Sequence, residues 1–350
     1  MKISRFHTRL LDVPGKYRYH VVTHLESPDG ATGFGYVKTA RPGQARALKE
    51  LADDLGEQLA GKELAGPAEM WAAMHKLCYS VGFRGASLQA MAGIDAAAWD
   101  MYARGVGLPL YQVLGGARSR VRAYASHALA RGAGADQLAR AAQDAVAQGW
   151  SAMKMRVGGR DPLIDFECVR AVREAVGPAV DVMADVNWNW TAAESVRFGR
   201  LLEPYDLYWL EDPTPEDDAE GMAHVRASLR MPITACERLE SLDQFRRFLS
   251  AGAVDIIMID LQHVGGVTPW LRIADLAHGF GIPVAGHAFP DWCSHLLCAV
   301  PNALILEYFP HWDVLYKEGV QVDNGWVTPS SKPGLGLEPD EAQLEKFALA

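Results

Sequence analysis

Roughly the first forty residues alternate apolar and polar positions through 3–10, 17–25 and 33–38, with a Ser27-Pro28-Asp29-Gly30 turn between the last two runs. Side chains on a strand change face at every residue, so the pattern predicts an antiparallel three-stranded meander. From Gly43 to Leu114 the period becomes helical. Apolar positions recur at Leu48, Leu51, Leu55 and Leu59, then Trp71, Met74 and Leu77, then Met91, Ile94, Ala98 and Met101. An α+β domain over residues 1–115 is complete at the Gly115-Gly116 break.

After Gly116 strands and helices alternate. Nearly continuous apolar runs at 121–126, 152–156, 180–185, 207–211, 232–237, 255–260, 283–287 and 303–307 predict eight strands, with amphipathic helices such as 135–148, 163–176 and 242–251 between them. Strands apolar on both faces belong to a parallel sheet covered by helices, and eight of them fit a (β/α) barrel over residues 116–309 better than a doubly wound sheet. No convincing helix follows the last strand. Residues 310–350, with many Gly, Pro and Asp, are expected to leave the barrel and pack back against the first domain.

Composition narrows the class without naming a function. Of 350 residues, 49% are apolar and 22% charged, which is ordinary globular usage, and no apolar run reaches transmembrane length. The start, MKISRFHTRLLDV, lacks the apolar core of a signal peptide, so a cytoplasmic location and no membrane partner are expected. A net charge of −9 disfavours nucleic acid as a partner. The five cysteines show no CxxC spacing and read as reduced core thiols.

Candidate chemistry gathers at the strand ends. In a (β/α) barrel the carboxyl ends of the strands carry the catalytic groups, and here they read Lys154 and Arg156, Asp185 and Asn187, Glu211, Glu237, Asp260, His287 and Glu307. A lone acid at such a place is more often a helix cap. Asp185, Glu211 and Glu237, however, follow one another at intervals of 26 residues and land on one rim. Buried acids in succession ask for a shared cation, and three oxygen ligands without cysteine favour Mg2+ over zinc. Asp260 and His287 on adjacent strands make a dyad in which the acid fixes the imidazole tautomer. A carboxylate substrate on the metal, neutralised by Lys154, then loses its α-proton to form an enediolate, with His287 as the candidate base.

These residues resemble the enolase superfamily, and within it the mandelate racemase subgroup, over almost the whole chain. That superfamily uses a Lys or His base with Mg2+ stabilising an enediolate. The resemblance implies an α/β fold, a modified (β/α)7β TIM-type barrel with an α+β capping domain, and Mg2+ held by Asp185, Glu211 and Glu237. It implies that Glu307 hydrogen-bonds the substrate carboxylate, that Asn187 contacts substrate, and that the protein is a homo-oligomer. One position departs. Where racemases and many dehydratases of this subgroup carry the second lysine of Lys-x-Lys as a base, this chain has Arg156. A guanidinium is a poor proton acceptor and a good electrostatic clamp. The departure favours one-sided elimination of water from a sugar acid, giving a 2-keto-3-deoxy acid. His287 would either take the α-proton and return it to the leaving hydroxyl, or serve only as the acid. Racemisation or epimerisation of a hydroxy acid or amino-acid derivative is the alternative within the same chemistry, and a non-catalytic metal-binding relative the alternative outside it. The matching capping loop, residues 13–24, offers Lys16, Tyr17, Arg18, Tyr19, His20 and His24 as substrate contacts, a basic and aromatic set suited to a polar, diacidic substrate.

Overall fold

The computed structural model describes residues 1–15 and 17–349, apart from the side chain of Trp312. Three antiparallel strands open the chain, β1 (Arg5–Asp12), β2 (Tyr19–Glu26) and β3 (Thr32–Thr39), in the order β1-β2-β3. Helices α1 (Pro42–Leu59), α2 (Pro67–Leu77) and α3 (Ala86–Gly105) pack on this sheet around Val21, Leu25, Val37, Leu48, Leu55, Met91 and Ile94. A Cβ at Gly33 or Gly35 would meet Ala97 O at 2.0 Å or Gly93 O at 2.2 Å. Only glycine lets β3 lie that close to the backbone of α3.

The second unit is a closed parallel barrel. Strands β4 (Val121–Ala125), β5 (Ala152–Arg156), β6 (Asp181–Asp185), β7 (Trp209–Glu211), β8 (Ile233–Ala235), β9 (Ile256–Asp260), β10 (Val284–His287) and β11 (Ala303–Tyr308) pair in sequence, and β11 pairs with β4 to close the ring. Period two divides each strand between two environments. Met153, Met155, Val182, Ala184, Leu210, Ile257 and Ile259 join the outer core beneath the helices. Tyr124, Ala152, Met183, Trp209, Met258, Ala285 and Ile305 form a separate buried cluster, which plugs the barrel interior. The next inward positions are Lys154, Asp185, Glu211, Asp260, His287 and Glu307. Charged groups therefore rest directly on an apolar floor.

Strands β7 and β8 are shorter than the apolar runs predict by more than one residue. Strand β8 stops at Ala235, and Cys236 turns out of the ladder at φ +93°. Glu237 consequently leaves the strand register that Asp185 and Glu211 keep. The tail pairs with the barrel before it reaches the first unit. Residues Val322–Asp323 and Trp326–Val327 form a hairpin that pairs antiparallel with β4, so the tail first extends the barrel sheet. It then returns to the first unit, where Leu335 N donates to Asp100 Oδ1 at 2.7 Å and Leu349 N to Leu10 O at 2.8 Å.

The two units are stitched together by polar contacts at the barrel mouth. Trp71 Nε1 donates to Gly265 O at 2.8 Å, and Asp95 accepts from Thr268 N and Oγ1, each at 2.8 Å. Burial pushes the Asp95 carboxyl up to about 7 against those hydrogen bonds. Asp291 accepts from Tyr36 of the first unit at 3.1 Å and from Tyr316 of the tail at 2.6 Å. No helix among the described residues is long and apolar enough to cross a membrane.

Candidate active site

Strand β5 brings both of its cations to the mouth. Lys154, 1% exposed, places Nζ 2.6 Å from Glu211 Oε1, 2.7 Å from Glu307 Oε1 and 3.6 Å from Asp185 Oδ2. Burial disfavours its charge, but those carboxylates outweigh it and hold the ammonium well above the ordinary lysine range. Arg156 donates to the carbonyl of Ser126 and, at 2.6 Å, to Ser126 Oγ, with Asp185 at 3.7 Å and Glu307 at 3.9 Å. The clamp is thus locked by the neighbouring strand end.

Acids exceed cations in this buried space. Oxygens of Asp185, Glu211 and Asp212 lie within 4.8 Å of one another. Burial pushes Glu211 up to about 8, with Lys154 opposing and Asp185 and Glu237 adding to the rise. Burial likewise drives Asp212 well above the carboxylate range, helped by Glu237 and Glu211, and its Oδ2 has no hydrogen-bond partner among the described residues. Crowded buried carboxylates that outnumber the cations beside them fit a hard divalent ion, which would neutralise the excess charge. Sequence reading passed over Asp212, although it directly follows Glu211; its φ of +44° turns it inward where a continuing strand would turn it out. Glu237 points instead toward the dyad, its Oε2 3.2 Å from His287 Nε2. The turn at Cys236 accounts for this difference from the expected trio.

The dyad forms across paired strands, since His287 and Asp260 are register partners. His287 Nδ1 lies 2.6 Å from Asp260 Oδ2, while Asp260 Oδ1 accepts from Gln262 N at 2.7 Å and His263 N at 2.8 Å. The charge of His263, the hydrogen bond and charge of His287 and the charge of Lys38 hold Asp260 well below the usual carboxylate range despite its burial. For His287, burial works against the charged form, but Glu237, Asp260 and Glu307 overcome it and raise the imidazole to about 9. Glu307 accepts from Ser126 Oγ at 2.7 Å and from Ala288 N at 2.9 Å. Asn187 lines the same cavity but spends its amide on Asp185, donating to Oδ1 from N at 2.9 Å and Nδ2 at 2.6 Å.

Six of the eight non-glycine residues with positive φ among the described residues stand at this rim: Asn187, Trp188, Asp212, Cys236, Ala288 and Phe289. Such conformations cost energy and persist where surrounding structure over-determines them. Two cavities open between them, of about 490 and 470 Å3, sharing Tyr17, Lys38, Trp188, Glu237 and His287 in their walls. Tyr19, His20 and His24 line neither, because β2 already contains all three. His20 is buried 5.8 Å from the Tyr36 ring, His24 stacks on His7 at 4.7 Å, and Tyr19 packs into the core of the first unit. Lys16 lies outside the described residues. From the capping side Tyr17 and Lys38 reach both cavities, and Thr39, Gln44 and Gln89 among others line the smaller one. Lys38 gave no sequence signal beyond a charge closing an apolar run.

Comparison with known proteins places the chain. Residues 15–115 match the mandelate racemase / muconate lactonizing enzyme N-terminal domain, and residues 137–343 match the enolase C-terminal domain-like family. The chain belongs to the enolase superfamily, in its mandelate racemase subgroup. Among superfamily relatives, L-talarate/galactarate dehydratase of Salmonella typhimurium is 32% identical over 92% of this chain and 80% of that protein. A 3,6-anhydro-alpha-L-galactonate cycloisomerase of Streptomyces coelicolor is 30% identical over 94% of this chain and 91% of its own length. The crystal structure of L-talarate dehydratase from Polaromonas sp. JS666, complexed with Mg and L-glucarate, superposes with a TM-score of 0.94 at 29% identity, covering 100% of this chain and 98% of the other.

Proposed function

We propose that the chain is a magnesium-dependent hydro-lyase that removes the proton α to a carboxylate of a sugar acid and eliminates the β-hydroxyl, leaving a 2-keto-3-deoxy acid. The observation that carries this reading is one cavity of about 490 Å3 with His287 on one side, buried carboxylates on another, and Arg156 where a second lysine base would stand. Asp185 and Glu211 would hold the ion, with Glu237 as the third ligand and Asp212 contributing charge behind them. Bound there, Mg2+ supplies a Lewis acid that stabilises the charge building on the substrate carboxylate. Lys154 and Arg156 neutralise the same carboxylate from the other side, and Glu307 orients it. Asp260 fixes His287 Nδ1 and leaves Nε2 facing the cavity. A cation that takes up the charge of Glu237 would remove the largest charge that raises the imidazole and free Nε2 to accept the α-proton. The dehydratase names of the 32% relative and of a 28% identical D-galactonate dehydratase from Variovorax paradoxus support a sugar-acid substrate.

The test is release of 2-keto acid from a panel of acid sugars by purified protein with Mg2+. Release from at least one member is expected, and neither release nor α-proton exchange with any of them would overturn the reading. The cycloisomerase name of the 30% relative favours a second reading, isomerisation of a cyclic sugar acid. Product mass separates the two, since an isomer keeps the water that a dehydration product has lost.

A further inference from the structure

Elimination of water moves two protons, one off Cα and one onto the departing β-oxygen. Neither cation of β5 suits the second transfer. Lys154 is held as an ammonium among three carboxylates, and Arg156 is an arginine bound to Ser126. His287 is committed to the first.

Another amine enters the same space from the first unit. Lys38, near the end of β3, is 8% exposed and has Nζ 4.7 Å from the ring centre of Tyr17 and 4.7 Å from that of Phe289. Its side chain stands in the wall of both cavities beside His287. Its backbone is gripped at both ends, because Lys38 N donates to Gln262 Oε1 at 2.9 Å and Lys38 O accepts from Gln262 Nε2 at 3.0 Å. Gln262 is two residues past Asp260, whose Oδ1 takes the Gln262 N–H while its Oδ2 holds His287. One short helical turn, Leu261–Val264, therefore sets amine and imidazole in fixed relation although they come from different units. Burial lowers the Lys38 ammonium to about 8, opposed by Asp260, Glu307, Glu237 and Asp291, while His20, His263 and His311 are the titratable groups that share its cationic side. An amine so placed can give up and regain a proton near neutral pH.

We propose that Lys38 is the general acid of the elimination, protonating the β-hydroxyl as it leaves after His287 has taken the α-proton; this rests on the dehydratase reading. The C–H electron pair passes into the substrate as an enediolate and then forms the Cα–Cβ double bond as the Cβ–O bond breaks. The oxygen departs as water carrying the Lys38 proton, and the enol tautomerises to the 2-keto acid. The imidazolium then loses its proton to solvent and the amine regains one, so the substrate has lost only water.

Lys38→Met and Lys38→Arg test this with two substrates, an acid sugar and its analogue bearing fluorine in place of the β-hydroxyl. Fluoride leaves without a proton. Both variants should release 2-keto acid about 10²-fold more slowly or worse, yet retain exchange of the α-proton with solvent deuterium and release of fluoride. Equal loss of all three signals, or full rescue of dehydration by arginine, overturns the assignment. The wild-type enzyme gives an independent reading: dehydration should decline on the alkaline side near pH 8 while fluoride release does not, and one shared alkaline limb for both substrates overturns the assignment whatever the variants do. If the wild-type enzyme neither dehydrates any acid sugar nor exchanges its α-proton, the dehydratase reading itself falls.

Discussion

Inward residues two apart on the same barrel strands meet opposite environments. Met183, Trp209, Met258, Ala285 and Ile305 build the apolar floor, and one pleat above them Asp185, Glu211, Asp260, His287 and Glu307 build the charged rim. The floor is what makes the rim chemically potent. Charges resting on apolar side chains interact more strongly than charges in water, and their burial is tolerable only while partners satisfy them. Backbone strain separates the layers as well, since positive φ angles collect at the rim. Stability and chemistry are thus divided between neighbouring pleats of one sheet.

The sharpest test of that division is at the rim. His287→Asn should lower 2-keto acid release about 10³- to 10⁴-fold, roughly 4 to 5.5 kcal/mol on the barrier, with the melting temperature nearly unchanged; unaltered turnover would remove His287 from the mechanism. Truncation of the floor should do the reverse. Trp209→Ala leaves a cavity and strips the 2.9 Å hydrogen bond from Glu211, at a cost of about 3 to 5 kcal/mol in denaturant unfolding. A loss below about 1 kcal/mol would mean that the plug is not the barrel's anchor.

Cation binding sharpens the comparison, because it should stabilise the rim alone. Mg2+ at about 100 times its Kd should add roughly 2.7 kcal/mol to unfolding stability, detectable as a rise in melting temperature that chelation reverses. Glu237→Gln should weaken Mg2+ binding more than Asp212→Asn does; the opposite ranking would make Asp212 the third ligand.

A smaller effect is expected where the two units meet. The Asp95 carboxyl is raised to about 7 by burial, so the folded protein binds that proton more tightly than the unfolded chain. Its contribution is fully present below the unfolded value near 4 and is lost as pH rises through 7, with a slope of at most about 1.4 kcal/mol per pH unit. The difference between wild-type and Asp95→Asn unfolding curves should show that decline between pH 4 and 7. Parallel curves would contradict it.

Much of this was legible because strand periodicity is local. The alternation that buries Met183 and Trp209 also dictates that Asp185 and Glu211 share their face, and the same rule joins Lys154, Asp260, His287 and Glu307. Glu237 shows where local reasoning stops: β8 ends at Ala235, and nothing in the run MPITACER announces a positive φ at Cys236. Tyr19, His20 and His24 fell both in the strand expected over 17–25 and in the loop that matched the family pattern, and cross-strand pairing with β1 and β3 makes them strand residues.

By itself, then, the sequence determined the barrel, its capping unit and the set of strand-end groups that face inward, since periods of 2 and 3.6 are properties of neighbouring residues. Tertiary structure alone decided that Asp212 turns into the acid cluster, that Glu237 meets His287, and that Gln262 grips Lys38 beside the dyad. Those contacts join residues far apart in the chain, as with the 224 positions between Lys38 and Gln262. They depend on how two units dock, a geometry that no local pattern encodes.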